Sequence, residues 1–409
     1  MSPPAVSIAE LVPCDSQKAL CLVARRHGFL QQHLDRLGAL PAHGNRKLFV
    51  DQLFLGLLLS FFEPMARSLR SIEDQGSFQG RLDLPRLARS TTADALAAFD
   101  PACLKPIIDD LRERVPHLAH SDADLAGMTR RIIAADGTYL NTLVDVAWAL
   151  HQTRRDGRGH AQVRANVQMD VATWTPQVVT ISGDDGQSEP AAFANDLLES
   201  VLYVFDRNFL DFCFLEQVLA RNNDFVLRVR ANAPSVSVQQ RLELSPQDIE
   251  AGVIADQIVQ LSGRGAPAGR FRQVTIQTVN RKGETEIICL LSNLIDPKIA
   301  AHVIGAIYRK RWQIELFFKW LKSFARMDHL LSTSRNGITF QLYVAVIGVL
   351  MMYVQSGRRI SIYALAALSR LARGQCTLDE AMAIIARRER ERELNRLRQA
   401  RLRAAKKSA

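Results

Sequence analysis

The sequence predicts a mixed α/β protein of several domains that begins with an all-helical part. Residues 1–125 hold apolar segments of helical period that are interrupted by prolines. Residues 126–231 alternate short apolar strands with helices, which is typical of a mixed α/β core. Residues 232–301 combine alternating strands with many glycines and prolines, so we predict a β-rich insertion there. With 409 residues, the chain is long enough for two or three domains.

The N-terminal part has two open interpretations. Its predicted helices span residues 20–37, 47–62, 92–99 and 106–115. Several arginines lie close to short helices, namely Arg67, Arg70, Arg81, Arg86 and Arg89. This pattern fits a small DNA-binding module and a plain helical bundle equally well.

The predicted core elements begin at residue 131. One strand runs from residue 131 to Asp136, where a Gly-Thr turn is expected, and a later strand over 202–205 closes at Asp206. The other core elements predicted are strands at 161–171, 176–182 and 225–230, and helices at 191–201 and 211–220. In the insertion, strands at 271–279 and 286–291 are predicted to form a hairpin.

A single helix is predicted over residues 307–322, because this stretch has no Gly or Pro and a long apolar period. At 100° per residue, four of its polar side chains share a sector about 60° wide. These are Tyr308, Arg311, Glu315 and Lys322. A solvated face with Glu–Lys pairs is the ordinary interpretation. The neighbouring Trp312, Phe317 and Trp320 instead indicate a buried helix, whose charges need partners such as metal ions or phosphates.

Three acidic residues stand out as candidate catalytic groups, namely Asp136, Asp206 and Glu315. Taken singly, an Asp after a strand is usually a turn or helix-capping residue. Asp206 is preferred to the competing Asp184, Asp185 and Asp211 because it closes an apolar strand and precedes Arg207. Reactions at phosphodiesters are well served by two divalent ions about 4 Å apart, and Mg²⁺ takes oxygen ligands. Taken together with the helix, the three acids predict such a site.

The composition indicates a basic protein. Lys and Arg number 52 against 42 Asp and Glu, which gives a formal net charge of +10. This excess suggests a polyanionic partner, either nucleic acid or an acidic membrane. The segment from Arg387 onward is dense in Arg and Lys, and it is either a solvated tail or a DNA contact.

The cysteines and the hydropathy of the sequence indicate the cellular compartment of the protein. The six cysteines are scattered without metal-binding spacing, which predicts neither a zinc site nor a disulfide framework and suits a reducing cytoplasm. The N-terminus shows no export signal. The apolar runs at 53–62 and 342–354 are shorter than the ~20 residues of a spanning helix, so we expect buried core helices and no membrane partner.

The predicted helix matches the spacing Tyr-x2-Arg-x3-Glu-x6-Lys, with the four polar residues named above in register. Three other segments share the likeness, namely Asp136-Gly137-Thr138, Phe205-Asp206-Arg207-Asn208-Phe209 and Leu291-Ser292-Asn293-Leu294. By these motifs the sequence, from about residue 45 to about residue 355, resembles DDE transposases of the bacterial insertion-sequence-four family.

The resemblance implies a ribonuclease-H-like catalytic core. Its two parts would cover residues 126–231 and 302–372, separated by the β-rich insertion at 232–301. An all-helical domain at 1–125 would precede the core, and a basic C-terminal helix or tail at 373–409 would follow the C-terminal helices.

The resemblance also implies roles for the site residues. Asp136, Asp206 and Glu315 would bind two Mg²⁺ ions, for which Mn²⁺ substitutes, and water and then a DNA 3′-hydroxyl would attack phosphodiesters. The residues implied to hold DNA are Tyr308, Arg311, Lys322, Lys319 and Arg207. The implied partners are double-stranded DNA, at the element's terminal repeats and at the target, and a second copy of the chain. The expected location is the bacterial cytoplasm, at the nucleoid.

One departure and two alternatives accompany this resemblance. Some relatives stack a flipped base on a Trp of the insertion, but this sequence has no Trp between Phe209 and Tyr308. Phe271 is an aromatic residue there that could replace it, or it belongs to the core of its strand. A nuclease without strand transfer would need the same acids. A DNA-binding remnant that has lost catalysis would not need them, so the intact acids argue against that alternative.

Overall fold

A computed structural model gives the fold of the chain in two compact units. Unit 1 comprises residues 1–116 and 320–409, and unit 2 comprises residues 117–319. The structure describes residues 29–40, 48–62, 68–74, 87–115, 125, 127–142, 146–153, 159–184, 188–230, 234–279, 283–323, 327, 329–356, 367, 370 and 376–407. Arg67, Arg81 and Arg86 lie outside these residues, as does Asp185.

Unit 2 is a mixed α/β structure built on one ten-stranded sheet. The strands are β1 Ile132–Thr142, β2 Leu150–Thr153, β3 Gly159–Asp170, β4 Thr175–Ser182, β5 Leu202–Phe205, β6 Asp224–Val229, β7 Val236–Arg241, β8 Val253–Leu261, β9 Phe271–Val279 and β10 Thr285–Ser292. The helices of this unit are α6 Glu189–Ala194, α7 Phe212–Ala220, α8 Pro246–Glu250, α9 Ala301–Arg309 and the first part of α10 Trp312–Ser323.

The sheet joins an antiparallel part, a parallel part and a second antiparallel part. Its order is β2-β3-β1-β5-β6-β10-β9-β8-β7, and β4 also pairs with β3. β1 is antiparallel to β3 but parallel to β5, and β5 is parallel to β6. The strands of the predicted insertion pair antiparallel to one another and join β6 through β10. The insertion therefore extends the core sheet.

The two faces of the sheet carry different residues. Ile133 and Ala135 of β1 and Tyr203 and Phe205 of β5 face an apolar core. From α6, α7 and the turn between them, this core receives Phe193, Phe209, Phe214 and Leu215. Because side chains alternate along a strand, Asp136 lies on the opposite face. The helix α9 packs against β5, β6 and β9.

Three helices of unit 2 begin at capping residues. Ser188 accepts a hydrogen bond from the backbone N–H of Ala191 at the start of α6, where Pro190 occupies the first turn. Asp211 accepts one from the N–H of Phe214 and so begins α7. This competing acid is therefore a capping residue. Ser245 and Asp248 form a capping box at the start of α8.

The regular elements in the described part of unit 1 are helices. Its helices are α1 Phe29–Gly38, α2 Val50–Phe62, α3 Leu69–Asp74, α4 Arg89–Ala98, α5 Lys105–Arg114, the last part of α10, α11 Arg335–Ser356 and α12 Leu378–Lys407. α11 packs against α2, α4 and α5. Buried residues such as Phe54, Leu58 and Val346 confirm that the two apolar runs are core helices. Among the described residues, no helix combines the length and apolar character needed to cross a membrane.

Three local predictions were wrong. The single helix over 307–322 is two helices, since α9 ends at Arg309 and α10 begins at Trp312. Asp136 does not end its strand, because pairing with β3 carries β1 on to Thr142. The helix predicted over 191–201 is only the short α6. The strands β2, β7 and β8 were not predicted.

The aromatic residue singled out in the insertion belongs to the core. Phe271 is 2 % exposed, and its ring centroid lies 6.1 Å from that of Phe225. Its face is therefore unavailable for stacking on a DNA base in this arrangement.

Candidate active site

Asp136 and Asp206 occupy neighbouring positions where β5 ends. The parallel pairing of β1 and β5 reaches Ala134 opposite Val204, so the two aspartates match each other two residues further on. Adjacent strands lie about 4.8 Å apart. Asp206 leaves the sheet because its Oδ1 accepts a hydrogen bond from the N–H of Asn208 at 2.8 Å, which begins a tight turn. It is thus both a turn residue and a neighbour of Asp136.

Arg311 joins two of the predicted acids. Its Nη1 donates to Oδ2 of Asp136 at 3.0 Å, and its Nη2 donates to Oε1 of Glu315. The side chains of Asp136 and Arg311 are 15 % and 17 % exposed, whereas that of Glu315 is 53 % exposed. Arg311 lies in the turn between α9 and α10, where its N–H bonds to the carbonyl of Tyr308. Asp136 and Asp206 are therefore neighbours across β1 and β5. Glu315 is connected to Asp136 through the guanidinium of Arg311.

The electrostatics of Asp136 reflect a crowded acidic site. Burial raises the pKa of its carboxyl to about 7, against the opposing effect of Arg311. Asp206 and Glu189 raise this pKa further by their negative charge. For Arg311, burial acts to lower the pKa, but Asp136 and Glu315 help to hold it above its usual value.

Glu189, at the start of α6, is a fourth acid that the sequence analysis missed. Its carboxylate accepts hydrogen bonds from the backbone N–H of Gly137 and from the side chain of Asn208. Burial raises the pKa of Glu189, Arg164 opposes this, and Asp206 adds to it. An acid in the first turn of a helix is ordinary, so no sequence signal distinguished Glu189.

Gly137 makes room for this carboxylate. A Cβ at position 137 would lie 2.5 Å from Oε1 of Glu189 and 3.0 Å from Cδ of Arg164. The guanidinium of Arg164 is itself held, because its Nε donates to Oδ1 of Asn166 at 3.0 Å. A side chain on Gly137 would therefore displace the acid beside Asp136.

The residues predicted to hold DNA are distributed over both units. In unit 2, Tyr308 is half-buried and hydrogen-bonded to the side chain of Arg228, while Lys319 and Arg207 are exposed. Lys322 belongs to unit 1, where burial lowers its pKa.

The donor set suits a hard divalent cation. In the part of the chain that the structure describes, no three His, Cys, Asp or Glu side chains are already gathered closely enough to hold an ion. The four acids nevertheless offer only carboxylate oxygens, which Mg²⁺ and Mn²⁺ prefer. The Arg311 guanidinium already stands between Asp136 and Glu315 as a cation. The residues present therefore fit a divalent ion.

Carboxylates at the end of a strand, with arginines beside them, can bind divalent ions and phosphate groups. Such sites serve enzymes that cut or transfer phosphodiesters. A family model described as a transposase DDE domain matches residues 127–352, more than half of the chain. The chain therefore belongs to the DDE transposase family. Enzymes of this family are nucleases and strand transferases, bind DNA and generally use divalent metal ions.

Individual relatives agree with this assignment. The chain is 25% identical over 255 residues to a protein named as a transposase in Sinorhizobium fredii, covering 59% of this chain and 68% of the relative. It is 24% identical over 311 residues to one named as an insertion-sequence transposase in Synechocystis sp., covering 73% and 79%. A piggyBac transposase synaptic complex with hairpin DNA matches at TM-score 0.39 and 10% identity, covering 83% of this chain and 72% of that chain, a level that carries no argument. Family and relatives identify the function as that of an insertion-sequence DNA transposase.

Proposed function

We propose that unit 2 is a ribonuclease-H-like catalytic core whose acids are Asp136, Asp206 and Glu315. The strand order supports this, because β4, β3 and β1 are antiparallel and β1, β5 and β6 are parallel. The observation that carries the proposal is the position of Asp136, which matches Asp206 across β1 and β5 and shares Arg311 with Glu315.

The proposed reaction has two steps at phosphodiesters of the element's ends and the target. Water first cuts a strand and leaves a 3′-hydroxyl, and that hydroxyl then attacks a target phosphodiester, whose own 3′-oxygen departs. A pair of Mg²⁺ ions bound by Asp136, Asp206 and Glu315 would activate the attacking oxygen and stabilise the leaving oxygen. Asp136 lies inside β1, and Asp206 is held by the turn that follows β5, which would keep both carboxylates in place before substrate arrives.

The basic residues near the site would hold the DNA backbone. Arg311 offers a planar set of donors that fits phosphate oxygens, and the exposed Lys319 and Arg207 add positive charge. Tyr308 and Lys322 complete the set that we propose. A homodimer would bring the two element ends together, in the bacterial cytoplasm at the nucleoid.

Strand transfer distinguishes this function from simple hydrolysis. The assay uses DNA carrying both ends of the element that encodes the chain, with a target plasmid and Mg²⁺. We expect nicked ends and end–target joints, and a pre-cut end with a 3′-hydroxyl should join while a 3′-deoxy end should not. Cleavage without joints would make the enzyme a nuclease.

The raised pKa of Asp136 predicts an unusual pH dependence of stability. Its folded pKa of about 7 lies above the ordinary 3.8, so the protonated carboxyl stabilises the fold at low pH, and this contribution is lost as the pH rises through 7. In EDTA at pH 8, Asp136→Asn should therefore have a free energy of unfolding higher than that of the wild type, by on the order of a few kcal/mol, and should unfold at a higher temperature. The difference should shrink toward pH 5. Thermal unfolding followed by circular dichroism at both pH values measures it, and a variant less stable than wild type at pH 8 would contradict the assignment.

The basic helix α12 should contribute electrostatic DNA binding. It runs from Leu378 to Lys407 and exposes many of its charged residues. Deleting Arg387–Ala409 should weaken DNA binding and flatten the plot of log affinity against log salt, by about one unit for each phosphate that the truncated chain no longer neutralises. Fluorescence anisotropy at several salt concentrations measures the slope. An unchanged slope with a truncated chain that still folds would assign the helix no role on DNA.

A further inference from the structure

Glu189 lies on the α6 side of the sheet, away from the face that carries Asp136. Its helix packs into the apolar core that contains Ile133 and Ala135. Oε1 of Glu189 nevertheless lies close to Gly137, because this glycine has no side chain that would exclude it. The carboxylate is thus held beside the residue that follows Asp136.

Gly137 lies beside two carboxylates. Its backbone N–H donates to Oδ1 of Asp136 at 2.8 Å. Oε1 of Glu189 is also so near that a Cβ on Gly137 would lie 2.5 Å from it. Glu189 is tied to Asp206 as well, because Asn208 donates its N–H to Asp206 and its side chain to Glu189.

The four carboxylates of this site carry more negative charge than the two neighbouring arginines neutralise. Arg311 pairs with Asp136 and Glu315, and Arg164 lies beside Glu189. With all four acids ionised, the two guanidiniums leave a formal charge of −2 among these groups. Like charges held together in a partly buried site are unfavourable without a cation.

We propose that Glu189 supplies a fourth carboxylate to the divalent-cation site of this transposase. The inference rests on the proposed function, since it assumes that Asp136 and Asp206 bind the ion. The first divalent ion to bind would balance the charge of −2 that the two arginines do not neutralise, and Glu189 would contribute one carboxylate oxygen to it.

Replacing Glu189 with glutamine distinguishes a role in binding the ion from a role in supporting the fold. Glu189→Gln keeps a side-chain oxygen that accepts from Gly137 and Asn208 but removes the charge that an ion needs. We expect the variant to bind Mn²⁺ at least tenfold more weakly than wild type, measured by the electron paramagnetic resonance signal of free Mn²⁺. In EDTA its melting temperature should equal or exceed that of wild type, because a repulsion has been relieved.

Two reference variants make the outcomes distinct. Glu199→Gln, an exposed glutamate of the same unit, should bind Mn²⁺ as wild type does, and Asp136→Asn should bind it weakly. Unchanged Mn²⁺ affinity in Glu189→Gln, with weakened binding in Asp136→Asn, would overturn the fourth ligand and leave the proposed function standing. Unchanged binding in both would overturn the function as well.

A lower melting temperature in EDTA with normal Mn²⁺ affinity would make Glu189 only the ion-pair partner of Arg164. If Glu189→Gln does not fold, Glu189→Asp gives the same comparison, since it keeps the charge and draws the oxygens back by one methylene. We expect intermediate Mn²⁺ affinity for it, and wild-type affinity would overturn the proposal.

Discussion

Replacing Glu315 with alanine should abolish Mg²⁺-dependent cleavage of element-end DNA, lowering the rate by on the order of 10³-fold or more. An acid that holds the metal contributes several kcal/mol to stabilising the transition state, and each 1.4 kcal/mol is about tenfold in rate. Since half of the Glu315 side chain is exposed, its loss leaves the fold intact. DNA affinity should stay the same or rise, because a negative charge beside the DNA has been removed.

The matched control is Glu216→Ala, which removes an exposed glutamate from α7 of the same unit. Its cleavage rate should equal that of wild type. Gel-based cleavage assays with equal amounts of bound DNA compare the variants. Cleavage by Glu315→Ala at the wild-type rate would remove this residue from the catalytic set, although Arg311 links it to Asp136.

Replacing Asp256 with alanine should destabilise the β-rich insertion by about 3–5 kcal/mol. Arg272 Nε and Nη2 donate to the two oxygens of Asp256 at 2.9 and 2.6 Å, and both side chains are at most 3 % exposed. Arg272 Nη1 also donates to the carbonyl of Ile299 at 2.6 Å, just before α9. Without Asp256 a buried guanidinium would lack its counter-charge, and the segment leading to Arg311 would be less firmly held.

A second ion pair in the same sheet provides the control. Nη2 of Arg228 lies 2.6 Å from Oε1 of Glu286, but the two side chains are 32 % and 39 % exposed. Glu286→Ala should therefore cost no more than about 1 kcal/mol. Urea unfolding of both variants measures the difference. Equal losses would contradict the view that burial decides the value of these pairs.

The sequence predicted those elements whose pattern is local. β5 over 202–205 was predicted with its observed bounds, and α7 begins one residue after its predicted start at Asp211, which caps it. Both have an uninterrupted apolar run and a polar residue that ends or begins it. The candidate acids Asp136 and Asp206 were singled out by the same means, as polar residues that follow apolar runs.

The remaining features depend on tertiary contacts. Asp136 lies inside β1 because pairing with β3 continues past it, and no local signal reports a partner about 30 residues away. The chain breaks between α9 and α10 at Lys310 and Arg311, where there is no Gly or Pro to signal it. This break allows the guanidinium of Arg311 to reach Asp136. Glu189 was missed because its importance comes from Gly137, which is distant in sequence.

We propose that acids distant in sequence share a divalent-ion site at the end of β5. A crystal structure of the protein soaked with Mn²⁺, with an anomalous difference map, tests this site most directly. We expect anomalous peaks within about 2.0–2.5 Å of oxygens of Asp136 and Asp206, with Glu315 contributing to the same cluster. Peaks confined to other residues, or ordered Mn²⁺ elsewhere while Arg311 still bridges Asp136 and Glu315, would contradict it.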